Sequence, residues 1–349
     1  MRRAIKALLV LLAAVVVAIL LARILFALPN DFERSATATL PAAGSGPLAE
    51  ALAGDAAAHP GLTGVTPLVD GAGAWATRMA LAEAATTSID ARYYIWSDDL
   101  TGTLLLDALR RAAERGVRVR LMLDDNGTSG LDGPVGQLDA HPNAEVRLWN
   151  PFNIRQPKLL AYAFDFFRLN RRMHNKSFTV DGLVTILGGR NVGDEYFGTG
   201  PTPLYVDLDV LAAGAAVAEE QADFDLYWTA PSAYPAAVLI DAPQGDPLAA
   251  RIAELEADPQ WAEYRAIIAA SDTVEAFVSG DLALEWVPAR VVSDDPAKGL
   301  GQAPDDALLA ARLAEAMGVF MPYLAAIALT GSAFAQDPGA SAPCDAPGY

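Results

Sequence analysis

The first apolar positions of the chain are continuous rather than periodic. Arg2, Arg3 and Lys6 precede an apolar run from Ala7 to Ala22, which resumes after Arg23 through Ile24 to Leu28. The 22 residues from Ala7 to Leu28 are enough to cross roughly 30 Å of hydrocarbon as a helix. The basic flank holds the N-terminus in the cytoplasm, so the residues that follow are expected on the far side of the membrane. A cleaved signal peptide and a secreted product form the other reading, although the run is long for one and no crisp small-x-small site follows it. Residues 1–28 are therefore read as an anchor or signal, and 29–46, polar and without periodicity, as a tether.

Periodicity begins after the tether. Leu48 to Ala58 and Gly71 to Ala85 read as helices. Ser88 to Trp96, rich in β-branched and aromatic residues, reads as a strand. Leu104, Leu105, Ala108, Leu109 and Ala112 fall at helical spacing and stop at Gly116, and Val117 to Leu123 is a second strand. Strand, helix, strand in this order implies parallel pairing through a crossover helix, and hence an α/β fold with a mixed sheet flanked by helices. His174 to Val180 and Leu183 to Leu187 read as strands joined at Asp181-Gly182, Tyr205 to Leu211 as another, and Ala212 to Trp228 as a helix closing a lobe that spans 47–235. Within 236–318 the pattern gives helices at Pro247 to Ala257, Trp261 to Ala270 and Leu308 to Gly318, and a strand-like Leu282 to Val292. Residues 319–349 form an atypical tail, a short apolar stretch followed by Ser332-Ala333-Phe334-Ala335-Gln336, like the end of a signal peptide.

Composition narrows the function. With 349 residues, 52% of them hydrophobic, the chain can bury a sizeable core. Its formal charge of -18 makes a nucleic acid an unfavourable partner. The charge is locally reversed between Arg155 and Lys176, where Arg155, Lys158, Arg168, Arg171, Arg172 and Lys176 face only Asp165. A cradle for anionic headgroups and a solvated helix end both fit that cluster. Tyr162, Phe164, Phe166 and Phe167 beside it suit either helical packing or a lip against a bilayer. Asp124-Asp125-Asn126-Gly127 follows the second strand and is given no chemical role. The single cysteine, Cys344, excludes an internal disulfide.

The chemistry concentrates between Met173 and Gly198. In an extended strand His174 and Lys176, two apart, leave the same face, Asp181 closes the strand, and Asn191 follows a Gly188-Gly189 turn. An imidazole, an ammonium and an amide on one spot suit a phosphodiester: the imidazole attacks phosphorus or protonates the leaving oxygen, and the other two hold the nonbridging oxygens. Gly188 and Gly189 are expected to let the backbone approach the phosphate. No metal or other cofactor is needed.

These residues resemble the phospholipase D superfamily signature, His-x-Lys-x4-Asp followed by a Gly-Gly-x-Asn turn. The wording at Tyr93 to Trp96, from Leu123 and through Gly188-Gly189-Arg190-Asn191 is similar to the bacterial cardiolipin synthase branch over roughly residues 47–318. The resemblance implies that His174 forms a covalent phosphatidyl intermediate. It also implies that Lys176, Gly189 and Asn191 bind the phosphate, that Asp207 orients a catalytic histidine, and that Asp181 fixes the motif from behind; the two aspartate roles are exchangeable. It further implies membrane phospholipids of the phosphatidylglycerol or phosphatidylethanolamine type as substrates, at the bacterial inner membrane with the lobe on the periplasmic side.

The family reaction uses two histidines, usually from two motif copies. Of the three here, His59 and His141 precede prolines in loop-like contexts, leaving His174 alone. Two expectations follow: a homodimer that pairs two copies of His174, or an impaired lobe that binds lipid without turning it over. Ser293 to Gly299 resembles the stretch before a second catalytic lobe, so the chain is also expected to be truncated near Gly318.

Overall fold

The computed structural model describes residues 2–198, 205–257, 261–262, 266 and 283–318. The first apolar run forms α1 (Arg2–Leu25), a 24-residue helix with no buried residue and long and apolar enough to cross a membrane. After it come α2 (Pro47–Ala58), β1 (Thr63–Leu68) and α3 (Gly71–Ala84), whose Asp70 cap accepts a hydrogen bond from Gly73 N at 2.5 Å. The expected strand, helix and strand are β2 (Ser88–Ile95), α4 (Leu100–Glu114) and β3 (Arg118–Gly127). Asp99 caps α4 through Gly102 N at 3.0 Å, Leu105, Leu106, Leu109 and Ala112 bury its apolar stripe, and Gly116 turns the chain at φ 95°.

The lobe continues through α5 (Asp132–Asp139), β4 (Ala144–Trp149), α6 (Tyr162–Leu169), β5 (Ser177–Val180), β6 (Val184–Gly188), α7 (Asp194–Phe197), β7 (Asp209–Gly214) and α8 (Ala215–Trp228). Then follow β8 (Ala233–Pro235), α9 (Pro247–Glu256) and β9 (Glu285–Val287). The nine described strands form one sheet in the order β8-β4-β3-β2-β5-β6-β7-β1-β9. β2, β3 and β4 are parallel and the remaining pairings antiparallel, which gives the mixed α/β sheet that the pattern implied.

The two faces of the sheet are buried by different means. Ile89, Ala91 and Tyr93 of β2, Val119, Leu121 and Leu123 of β3, and Val146 and Leu148 of β4 join the main apolar core. The alternate positions carry Asp90, Arg92, Arg120 and Arg147, all buried. Arg92 pairs with Glu220 of α8 at 2.7 Å and Asp223 at 2.5 Å; Arg120 pairs with Asp90 at 2.7 Å and Asp225 at 2.8 Å. Arg147 lies 4.4 Å from the Trp228 ring centroid.

Several elements depart from their expected limits. The strand expected from Tyr205 begins at Asp209, and the one expected from His174 begins at Ser177. The strand-like stretch from Leu282 shrinks to Glu285–Val287. Within 29–46, expected to be a free tether, the chain is laid along the lobe. Arg34 donates to Pro231 O at 3.2 Å, Trp228 Nε1 to Thr37 Oγ1 at 3.0 Å, Thr39 N to Asp225 at 2.9 Å, and Ala43 N to Asp181 O at 2.8 Å. Side-chain bonds hold it rather than an apolar stripe, so no periodicity announces it. The expected helix from Trp261 lies largely outside the described residues, and the tail from Val319 wholly outside them.

The chain divides into two units. One holds everything up to Val291 together with Pro296–Gln302, and the other Val292–Asp295 and the residues from Ala303 on. In the second, α10 (Leu309–Ala316) is the expected amphipathic helix; Asp294 Oδ1 accepts from Leu309 N at 2.7 Å and Arg312 donates to Ser293 O at 3.1 Å.

Candidate active site

β5 runs antiparallel to β2 with Ser177 opposite Arg92, so the residues just before β5 lie beside the C-terminal end of β2. There Lys176 Nζ sits 3.1 Å from His174 Nδ1 and donates to His174 O at 2.8 Å. The Tyr94 ring backs both, its centroid 4.8 Å from that of the imidazole and 5.5 Å from Lys176 Nζ. Lys176 is buried and His174 exposed, so the imidazole is offered outward with the ammonium beneath it. The backbone is fixed one residue earlier: buried Asp124, at the end of β3, accepts from Met173 N at 2.7 Å and from Arg172 at 2.9 Å. Asp124, left without a role from sequence, is thus a positioning residue for His174.

The charges favour a neutral imidazole beside a cation. Partial desolvation of the ring, then the positive charges of Lys176 and Lys298, lower the His174 pKa from its ordinary 6.5, although the residue is exposed overall, while Asp207 opposes them. Burial brings Lys176 down to about 8 against the pull of Asp207, Asp209 and Asp124. At neutral pH His174 Nδ1 can accept from the Lys176 ammonium, which leaves Nε2 the better placed ring nitrogen for attack on an electrophile.

The Gly188-Gly189 turn has a different basis from the one expected. A Cβ on Gly189 would fall 1.9 Å from Asp207 Oδ1, and one on Gly188 would fall 2.6 Å from both Asp209 Cα and Leu208 O. The missing side chains make room for the neighbouring strand and its two carboxylates, and Gly189 N is engaged by Leu208 O at 3.1 Å. Asp209 is wholly buried and joins Arg78 at 2.8 Å, Arg190 N at 3.2 Å and the Arg190 guanidinium at 3.6 Å. Asp207, less buried, is the carboxylate whose charge bears on His174.

Asn191 reaches the same end of β2 but spends its amide on the scaffold. Its Oδ1 accepts from Ile95 N at 3.0 Å and its Nδ2 donates to Tyr196 Oη at 2.9 Å. Among the described hydrogen bonds none joins it to His174 or Lys176. Asp181 lies at the other end of β5, where Val180 pairs with Ile89. Its carboxylate accepts from Thr86 N, Thr87 N and Ser88 N at 2.7 to 3.1 Å and from the Thr86 and Thr87 hydroxyls at 2.8 and 3.0 Å. Those bonds depress its pKa against the effect of burial and tie β5 to the start of β2, away from the imidazole.

The basic cluster is largely turned inward. Arg155 and Lys158 pair with buried Asp125 at 2.5 and 2.9 Å, Arg168 with Asp165 at 2.6 Å, and Arg172 with Asp124. His141 Nδ1 accepts from Asn143 N in the turn before β4, and His59 stacks on Trp286 near the start of β1. Tyr94 and Asp124 escaped the sequence reading because their partnership with His174 comes from strand order, not from spacing.

A family model described as "Cardiolipin synthase, PLD-like domain" matches residues 79–222, which include His174, Lys176, Asn191, Asp207 and Asp124. Cardiolipin synthase C of Escherichia coli (strain K12) is 50% identical over 264 residues, 74% of this chain. Residues 79–222 thus carry a phospholipase D-like domain of the cardiolipin synthase kind. Cardiolipin synthase A of Pseudomonas entomophila (strain L48) is 34% identical over 198 residues. The chain spans 55% of the length of the first of these relatives and 39% of the second. Among solved structures, the phospholipase D family member Nuc from Salmonella typhimurium aligns at 17% identity and a TM-score of 0.33, over 50% of this chain and 95% of that one.

Proposed function

We propose that this chain is a membrane-anchored phosphatidyltransferase lobe acting on phospholipids through a phosphohistidine. The observation that carries the reading is the imidazole of His174 held 3.1 Å from the buried Lys176 ammonium. A ring nitrogen of His174 attacks the lipid phosphorus and the bond to the leaving alcohol breaks. The Lys176 ammonium takes up the charge that grows on the nonbridging oxygens, where a fixed cation is most effective. The phosphatidyl group then passes from nitrogen to an incoming alcohol, a second phospholipid of the phosphatidylglycerol type in synthesis, or to water in hydrolysis. Asp207 steadies the positive charge of the phosphohistidine. The similarity to two cardiolipin synthases favours an alcohol as acceptor.

The leaving alcohol needs a proton, and His59 and His141 belong to other parts of the sheet. The proposed donor is the imidazole of a second such lobe, here a second copy of the chain. α1 holds the lobe at the bacterial inner membrane with its basic end in the cytoplasm. The test is turnover of labelled phosphatidylglycerol by the full chain in mixed micelles, with products separated into cardiolipin and phosphatidate. His174→Ala is expected to abolish both. Unchanged product formation in that variant rules the reading out, and lipid binding with no turnover in either protein leaves a noncatalytic lipid-binding lobe.

A further inference from the structure

The last turns of α1 are built into the lobe. Ile19 and Ala22 pack against an apolar cluster of Phe152, Ala161, Phe164 and Leu169. Phe26 stacks on Phe164 with centroids 5.8 Å apart, Arg23 reaches Asp165 at 3.4 Å, and Asn153 Nδ2 donates to Phe26 O at 2.9 Å. At 1.5 Å per residue, Ile19 to Phe26 covers about 10 Å of helix axis. The apolar run continues to Leu28, so this is the depth at which acyl chains give way to headgroups. Whatever is fastened there lies in that layer.

What is fastened there is α6 and the turn before it, and both show apolar side chains to the outside. Leu159 and Phe167 are 77% and 75% exposed, and Leu160 and Phe166 are 56% and 51% exposed. Four large apolar groups so close in sequence form a patch of the kind that marks a contact surface. Resting on the anchor reading of α1, we propose that residues 159–167 form a lip that seats in the bilayer, with these four side chains in the interfacial layer of the leaflet that holds the end of α1. The bilayer is the occupant because the patch continues the surface of a helix that, apart from half-buried Ile19 and Ala22 on the side facing the lobe, is exposed along its length. Arg23, held by Asp165, places its charge at the same level, where long basic side chains reach the headgroups. The lip also bears on the reaction: His174 follows the end of α6 by five residues, so seating the lip brings the imidazole to the phosphates rather than leaving it to search along a tether.

The test uses the full chain with Cys344→Ser and single cysteines at Phe167→Cys and Leu160→Cys, each carrying a polarity-sensitive fluorophore. Glu114→Cys serves as control, since α4 ends at the start of β3 while Lys158 meets Asp125 at the end of that strand. In vesicles of phosphatidylcholine and phosphatidylglycerol, labels at 160 and 167 are expected to shift to the blue. Lipids spin-labelled near the headgroup are expected to quench them at least about twofold more than the label at 114. Emission as water-like as the control, in protein that resists carbonate extraction, overturns the lip while leaving the anchor intact. A blue shift without lipid quenching assigns the patch to a protein contact and also overturns it. Extraction of the protein by carbonate removes the anchor reading itself, and the lip with it.

Discussion

At the scale of single residues the site is a pair of opposed titrations. In the proposed reaction His174 attacks as the neutral ring, which its lowered pKa keeps available below the ordinary value of 6.5, and Lys176 holds the phosphate. Lys176 does so as the cation, and its pKa of about 8 sets where that charge is lost. As pH rises, the nucleophilic form of His174 should therefore appear through a midpoint below 6.5, and binding of a nonhydrolysable phospholipid analogue should weaken along a basic limb near 8. Lys176→Arg should carry the basic limb well above 10, because guanidinium does not deprotonate in that range. A basic limb unmoved in that variant would assign it to another group. The glycine turn gives a second contrast. Gly188→Ala presses on the backbone of β7 and should destabilise the lobe by ~1–3 kcal/mol in urea melts. The three atoms nearest a Cβ on Gly189 are those of the Asp207 carboxylate, so the melt of Gly189→Ala should stay close to wild type while its kcat falls with the displaced carboxylate. Equal losses of stability in the two variants would contradict this division.

At the scale of elements, β2, α4 and β3 were legible because their apolar residues recur at the spacing of the structure they form. The charged face of the sheet was not. Asp90, Arg92, Arg120 and Arg147 alternate with apolar residues as a solvent face would, and only the arrival of α8 with Glu220, Asp223 and Asp225 puts them under cover. The late start of β7 has a similar origin: Asp207 and Asp209 both fit a strand, and the register with Gly188 decides that Asp209 is the first paired residue. Within the site, His174 and Lys176 were readable from spacing and came together, whereas Asn191 and Gly189 were readable as motif members but are engaged by Ile95, Tyr196 and Leu208. The ion pairs under α8 carry their own prediction. Arg92→Ala leaves Glu220, fully buried, without its cation, and breaking such a pair on one side costs ~3–5 kcal/mol. Joint replacement of Arg92 by Met and Glu220 by Leu should recover much of that stability. A single variant that melts like wild type would show that water reaches the pair.

At the scale of the whole molecule the question is how many chains make one catalytic centre. Each lobe supplies one motif imidazole, and a centre built across a two-fold axis takes His174 from two copies in equivalent surroundings. This can be read without a structure of the assembly. If wild-type and His174→Ala chains are co-expressed at equal levels and pair at random, about one quarter of the pairs hold two imidazoles and about half hold one. A centre with one imidazole lacks either nucleophile or acid, and loss of the acid alone commonly costs about two to four orders of magnitude. Specific activity should then fall to about one quarter of wild type if two copies build the centre, against about one half if each lobe works alone. The mass of the purified protein in mild detergent gives an independent check, since a quarter requires a dimer. An activity of one half with a monomeric mass would sink the shared centre and require a proton donor other than imidazole, for which the Lys176 ammonium, 3.1 Å from His174 Nδ1, is the described group in contact with the ring nitrogen.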